Sequence, residues 1–228
     1  MGYLLLEGGA EFGGRMSEPD LRAINLAGGV DAPIAIITTA AAPDNNHKRA
    51  GNNGIMWFQG LGAKNVFTVD VVDKHSANDP ALAERIRGSK LIYLLGGFTH
   101  YLGETLKGSE SWAAALEAHA QGAVIAGSSA GAMVMCEHYY DPSQGRVANG
   151  LNMVENALVL PHHNTFGKNW AGKLTRALPK VTLLGIDERT GMLSHAGGEW
   201  EVYGGGKVTL YRGGSTSSYD RGGRFSLV

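Results

Sequence analysis

The sequence predicts a three-layer α/β/α fold with a mostly parallel central sheet, and three observations predict it. Through residue 139 short apolar runs alternate with helical stretches, the pattern of strands joined by crossover helices. Those runs are apolar at nearly every position, as strands covered on both faces are. One of them, residues 123–126, leads directly into Gly127-Ser128-Ser129-Ala130-Gly131 and then into a helical pattern. Strand, sharp turn, helix is the context in which G-x-S-x-G reads as a nucleophile elbow.

Each element follows from its own residues. Tyr3-Leu4-Leu5-Leu6 reads as a buried strand ending at Glu7-Gly8-Gly9, and residues 18–27 as a helix closed by Gly28-Gly29. Residues 33–39 form the second strand, 45–59 a helix ended by Gly60 and Gly62, and 65–71 the third strand. Asp79-Pro80 opens a helix through Arg87, with proline at the tolerated first position. Residues 91–95 are the fourth strand, followed by Gly96-Gly97-Phe98-Thr99, by helices over 100–106 and 111–120, and by the strand into Ser129. The helix behind Ser129 is expected to reach about His138.

After Asp141-Pro142 the texture changes. Residues 156–160 lead to Pro161-His162-His163-Asn164, residues 168–178 read as a helix stopped by Pro179, and residues 181–186 as another buried strand ending in Asp187-Glu188. Residues 191–211 read as antiparallel hairpins capping one sheet edge, and the polar, glycine-rich tail after Gly213 as poorly ordered. In open parallel sheets the site lies at the carboxyl ends of the strands. Gly8, Thr38, Ala40, Gly96-Gly97 and Ser129 are therefore expected to meet there.

Composition narrows the function. A chain of 228 residues suits one domain, and a net charge of −1 gives no field for nucleic acid. The single cysteine, Cys136, excludes an internal disulfide framework and a CxxC metal site, and it reads as core. Residues 3–6 are too short for a signal-peptide core, and no apolar run approaches the ~18 residues of a membrane span. A soluble, cytoplasmic protein is expected, with no membrane partner. The glycine-rich loop of residues 8–14 spells neither G-x-G-x-x-G nor a Walker motif, so no cofactor is expected.

A serine hydroxyl needs a base within hydrogen-bond reach, and the base a third group to orient it. His47, His75, His119 and His138 fall where the pattern assigns them to surfaces, and a surface strand position explains His195. His100 follows the Gly96-Gly97 turn and is a candidate to line a pocket. His162 and His163 stand past Pro161, where a loop at the carboxyl edge can present either. Adjacent histidines on an extended segment point to opposite sides and lack the i, i+4 spacing of a chelating pair, so no metal is expected. For the acid, Glu188 at a strand end comes first and Asp141 second, while Asp187 should face away from Glu188.

The blocks Gly96-Gly97-x-Thr99, Gly127-Ser128-Ser129-Ala130-Gly131-Ala132, Gly150-Leu151 with Pro161-His162, and Gly185-Ile186-Asp187-Glu188 resemble, in order, the peptidase E and cyanophycinase family of serine peptidases. That family shares the fold of class I glutamine amidotransferases, with serine in place of the cysteine nucleophile. The resemblance spans roughly residues 3–212. It implies Ser129 as nucleophile, His162 as base with His163 where an aromatic usually stands, Glu188 as the acid, and an oxyanion hole of the N–H groups of Gly97 and Ala130. In peptidase E an aspartate after the nucleophile helix is the counterpart of Asp141, but its spacing from the serine is longer than here. The chain has Phe98 where peptidase E carries asparagine, and about Trp170 where it carries arginine. It also lacks the Gly-Gly-Asp-Gln of cyanophycinases. Phe98, Thr99, His100, His163 and Trp170 are then candidate pocket residues.

The expected activity is a serine exopeptidase on short peptides, not restricted to an N-terminal aspartate, acting as monomer or homodimer. A cyanophycinase-like or other serine amidase or esterase is the alternative, and a non-catalytic ligand-binding module on the same scaffold is the rival from another class.

Overall fold

In a computed structural model, which describes residues 2–227, the alternation of the first half is realised in chain order. It runs β1 (Tyr3–Glu7), α1 (Ser17–Leu26), β2 (Ile34–Ile37), α2 (His47–Gly60), β3 (Val66–Val69), α3 (Pro80–Arg87), β4 (Leu91–Leu94), α4 (Thr99–Leu106), α5 (Glu110–Ala120), β5 (Val124–Ser128) and α6 (Ala130–Met135). Asp79 caps α3 by accepting from the N–H of Ala81, and Ser109 caps α5 by accepting from that of Trp112. The second half contributes β6 (His138–Asp141), β7 (Arg146–Asn149), β8 (Ala157–Leu160), α7 (Ala171–Ala177), β9 (Thr182–Ile186), β10 (Thr190–Ser194), β11 (Glu199–Gly204), β12 (Val208–Arg212), β13 (Ser215–Tyr219) and β14 (Arg224–Ser226).

The central sheet has the order β14-β11-β10-β1-β5-β4-β2-β3. From β1 through β3 every neighbour is parallel, and β10, β11 and β14 add an antiparallel margin beyond β1. Each of β2, β4 and β5 is buried along its whole length. One face packs Ile34, Ile36 and Tyr93 against Ala23, Ile24 and Phe58 of α1 and α2. The other packs Ile37, Ile92 and Ile125 against Ile86, Leu102 and Trp112 of α3, α4 and α5. Burying one such side chain is worth about 1.5–3 kcal/mol. An exposed ion pair such as Lys64–Asp31 adds at most about 1 kcal/mol, so the two apolar layers hold the sheet.

Several expectations are corrected. Only β10 and β11 of the anticipated hairpins extend the central sheet; β12 joins a second sheet, β13-β12-β9-β8, in which β8 and β9 are parallel. The tail after Gly213 is ordered, because β13 takes its backbone partners from β12 and β14 from β11. Phe225 supplies the anchor, buried against Tyr219 at a ring separation of 4.7 Å. The helix behind Ser129 stops at Met135, where Cys136 turns extended and the β6–β7 ribbon begins. Residues 168–178 split into a 3-10 turn, Gly167–Trp170, and α7. His119 is buried, its Nδ1 3.1 Å from the carbonyl of Ala123. Cys136 is core as expected, and burial pushes its thiol up to about 12. Among the described residues no helix is long and apolar enough to cross a membrane.

Beneath the end of β1 lies a buried pair of carboxyls. Tyr93 donates to Glu7 Oε2 at 2.5 Å and Trp57 donates to Asp20 Oδ2 at 2.8 Å, which leaves Glu7 Oε1 and Asp20 Oδ1 buried without another donor among the described residues and the two carboxyls facing each other. Two carboxyls bond directly only by sharing a proton. Burial above all raises both, Glu7 well above its ordinary range and Asp20 to about 7. A group that holds its proton more tightly folded than unfolded loses stability as pH rises from its unfolded value, about 3.9 for Asp, to its folded one. Asp20→Asn keeps the hydrogen bonds and removes that dependence. Its melting temperature should exceed the wild type's by more at pH 8 than at pH 5, measured by scanning calorimetry, and an equal difference at both would refute the shared proton.

Candidate active site

Ser129 stands where β5 ends and α6 begins, at φ +48° and ψ −110°. A non-glycine residue held there costs on the order of 1–3 kcal/mol and persists only where its surroundings dictate it. The surroundings do. A Cβ on Gly127 would stand 2.6 Å from the backbone of Gly131, and one on Gly131 would stand 2.2 Å from the carbonyl of Leu94. The strand end, the helix start and β4 therefore touch backbone to backbone, which only glycine permits. The N–H of Ser129 donates to the carbonyl of Glu7 at 3.0 Å, tying the turn to β1.

His162 faces it. Its Nε2 is 3.1 Å from Ser129 Oγ, and its Nδ1 is 2.8 Å from Glu188 Oε1. The imidazole is held from all sides: its backbone N–H donates to the carbonyl of Gly8, its ring lies against Gly9, and Phe166 stacks on it at 4.8 Å. Glu188 is fixed in turn, since its N–H donates to Asn164 Oδ1 at 2.9 Å. Serine, imidazole and carboxylate thus form one continuous hydrogen-bonded chain from three separate segments.

The neighbouring residues form a mirror pair on the other side. His163 is buried, its Nε2 2.8 Å from the hydroxyl of Tyr211 and its Nδ1 3.4 Å from Asp187 Oδ1. Burial lowers its pKa, although Asp187 opposes the shift. His163 therefore neither reaches Ser129 nor lines an open pocket, which corrects its place among the pocket candidates. Asp187 turns away from Glu188, as the alternation of an extended segment requires. Asp141, the alternative acid, is buried and takes both the N–H and the hydroxyl of Ser143 on Oδ1, so it is not the partner of His162.

Phe98, Thr99 and His100 line a cavity of about 340 Å³ together with Gly97 and Asp141. His100 is held by the hydroxyl of Tyr139 at 2.7 Å. Trp170 is set back from the serine, packed on Tyr140 and on Phe166, and reaches the site only through the latter. The N–H of Phe98 donates to Ala40, whereas among the described residues those of Gly97 and Ala130 have no intramolecular acceptor.

Sequence reasoning missed Phe166 and Asn164, and it gave no place to Glu11, which accepts from the hydroxyl of Ser128 beside the nucleophile. An aromatic four residues past His162 was the available signal for the first. Nothing local marks Asn164 or Glu11, whose partners lie 24 and 117 residues away.

Comparison with known proteins identifies the family. The profile of peptidase family S51 matches residues 4–201. A cyanophycinase from Geminocystis herdmanii (strain PCC 6308) is 30% identical over 201 residues, covering 82% of this chain and 72% of that protein. The crystal structure of a peptidase from an acI-B1 Actinobacterium superposes with a TM-score of 0.89 at 30% identity, over 100% of this chain and 97% of that one. A protein named for peptidase E from Listeria monocytogenes EGD-e superposes at 0.63 with 20% identity, over 93% and 98% of the two chains, and speaks for the fold alone. With the profile running from β1 into β11 and so enclosing Ser129, His162 and Glu188, the chain belongs to peptidase family S51 and is a serine-type peptidase.

Proposed function

We propose that the protein is a serine exopeptidase of short peptides, with dipeptidase- or aminopeptidase-like action not limited to an N-terminal aspartate. The observation that carries this reading is the chain of hydrogen bonds from Ser129 through His162 to Glu188. Ser129 Oγ attacks the scissile carbonyl while His162 Nε2 takes its proton, then returns it to the leaving amine. Glu188 accepts from Nδ1–H, which leaves Nε2 as the lone-pair nitrogen and stabilises the imidazolium that forms. The oxyanion is assigned to the N–H groups of Gly97 and Ala130, which have no other acceptor among the described residues; Ala130 follows the nucleophile, and Gly97 follows Gly96, where a Cβ would stand 3.3 Å from Ser129 Cβ. Water enters by the same route and clears the acyl-enzyme.

The departure at Phe98 argues against strict selection of an acidic first residue, since an apolar ring gives a buried carboxylate no partner. A cyanophycinase-like activity is the second reading, favoured by the relative from Geminocystis. A panel of dipeptides, tripeptides, blocked peptides, simple esters and cyanophycin separates them. Cleavage of blocked peptides or esters alone would defeat the exopeptidase reading.

Ser129→Ala should lower turnover on the order of 10⁶-fold and abolish labelling by a fluorophosphonate, which reacts only with an activated serine. Near-native hydrolysis by that variant, or no adduct on the wild type, would overturn the mechanism. Glu188→Gln should lower kcat on the order of 10⁴-fold through loss of the correct tautomer. Asp141→Asn should cost much less, and the reverse ranking would move the orienting role to Asp141.

A further inference from the structure

Glu11 lies on the loop after β1 and lines, with Gly96, a cavity of about 550 Å³ whose other walls are Phe12, Ala50, Asn53, Met56, Trp57 and Leu95. Its Oε2 accepts from the hydroxyl of Ser128 at 2.9 Å. Its Oε1 has no donor among the described residues, and no lysine, arginine or histidine pairs with the carboxylate there. A Cβ on Gly96 would stand 2.8 Å from Glu11 Oε1 and 3.3 Å from Ser129 Cβ. Carboxylate and nucleophile therefore flank one glycine, on the turn that also carries Gly97.

An unpaired negative charge so close to Ser129 opposes the reaction, because acyl transfer builds a second negative charge on the attacked carbonyl. The site works against itself unless the substrate brings a cation to that place. We propose that Glu11 binds the free α-ammonium of the substrate's first residue, and that the cavity beside it takes that residue's apolar side chain. This inference rests on the exopeptidase reading and specifies which end of the peptide is read.

Geometry selects the α-ammonium over the cation of a basic side chain. The α-nitrogen is two bonds from the attacked carbonyl carbon, so its receptor must adjoin the nucleophile, as Glu11 does. The head of a lysine or arginine lies several bonds farther out and would need a carboxylate at the far end of the cavity. Apart from Glu11 no carboxylate among the described residues lines the cavity; Phe12, Ala50, Met56, Trp57 and Leu95 suit an apolar chain, and Asn53 is neutral.

The test compares leucyl-alanine, its N-acetyl derivative and N-acetyl-arginyl-alanine on the wild type and Glu11→Gln. A charge-assisted hydrogen bond at such a site corresponds to a loss on the order of 10- to 100-fold in kcat/KM when the amine is acetylated. Glu11→Gln should lose most of that discrimination, with slower cleavage of the free dipeptide and, because the opposing charge is gone, equal or faster cleavage of the acetylated one. Glu11→Asp, which keeps the charge but withdraws it by one methylene, should fall between. Titration calorimetry of the free and acetylated dipeptides on Ser129→Ala, with and without Glu11→Gln, repeats the comparison without turnover. Absence of hydrolysis by the wild type would then count against the exopeptidase reading alone, while binding still decides the role of Glu11. Equal treatment of free and acetylated dipeptides, an undiminished preference in Glu11→Gln, or a Glu11-dependent preference for the acetylated arginyl substrate would each overturn the assignment.

Discussion

The constraint on which the rest depends is the forced turn at Ser129. Its positive φ is tolerated because Gly127, Gly131 and the carbonyl of Leu94 are packed without room for a methyl group. Parallel register sets up that contact, pairing Gly127 with Leu94 of β4 and Ser128 with Glu7 of β1. The carbonyl of Glu7 then receives the N–H of Ser129, and the next carbonyl along, that of Gly8, receives the N–H of His162. One strand end thus positions both members of the Ser129–His162 bond. The strain of order 1–3 kcal/mol is small beside the burial of all five residues of β5, so the sheet can impose the turn.

The same strand end explains why carboxyls of opposite character stand so close together. The side chain of Glu7 points down into the layer of α1 and α2, where a bare charge is not tolerated; it accepts from Tyr93 and faces Asp20, which accepts in turn from Trp57. Four residues later the chain has left the sheet, and Glu11 reaches the rim, where it is partly open to solvent. The charge of Glu11 helps raise both Glu7 and Asp20. Buried pair and rim carboxylate are electrostatically linked, and Glu7 and Glu11 both touch the elbow, through the Ser129 N–H and the Ser128 hydroxyl.

How much of this was legible in the sequence follows from where each partner lies. The parallel strands, the elbow and the glycines around it were legible because continuous apolar runs and a five-residue motif are local signals. The second sheet was not, because β8 and β9 look the same whichever sheet they join and only β12 decides it. The tail was misread because Ser215, Thr216, Ser217 and Ser218 carry no apolar face, and their order comes from backbone bonds to β12 across the turn at Gly213-Gly214. Asn164 and Glu11 were invisible for the same reason, each acquiring its place only from a distant strand.

The paired histidines show the step from pattern to chemistry most directly. The sequence left His162 and His163 open and Glu188 and Asp187 ranked only by position; the resemblance favoured one of each. The structure divides them by one backbone feature: His162 adopts φ +49°, which turns its ring out of the line of β8 toward the rim. His163 stays in register with the second sheet, its N–H bonded to Ile186 and its ring packed against Gly185. Each imidazole then finds the acid on its own side, Glu188 at the open rim and Asp187 in the interior. An imidazole in the interior has its pKa lowered by burial, its Nε2 bonded to Tyr211 and its Nδ1 turned toward Asp187, so neither nitrogen faces the serine. The partly exposed ring can exchange protons with substrate and water, and it is the one whose Nε2 faces Ser129 Oγ.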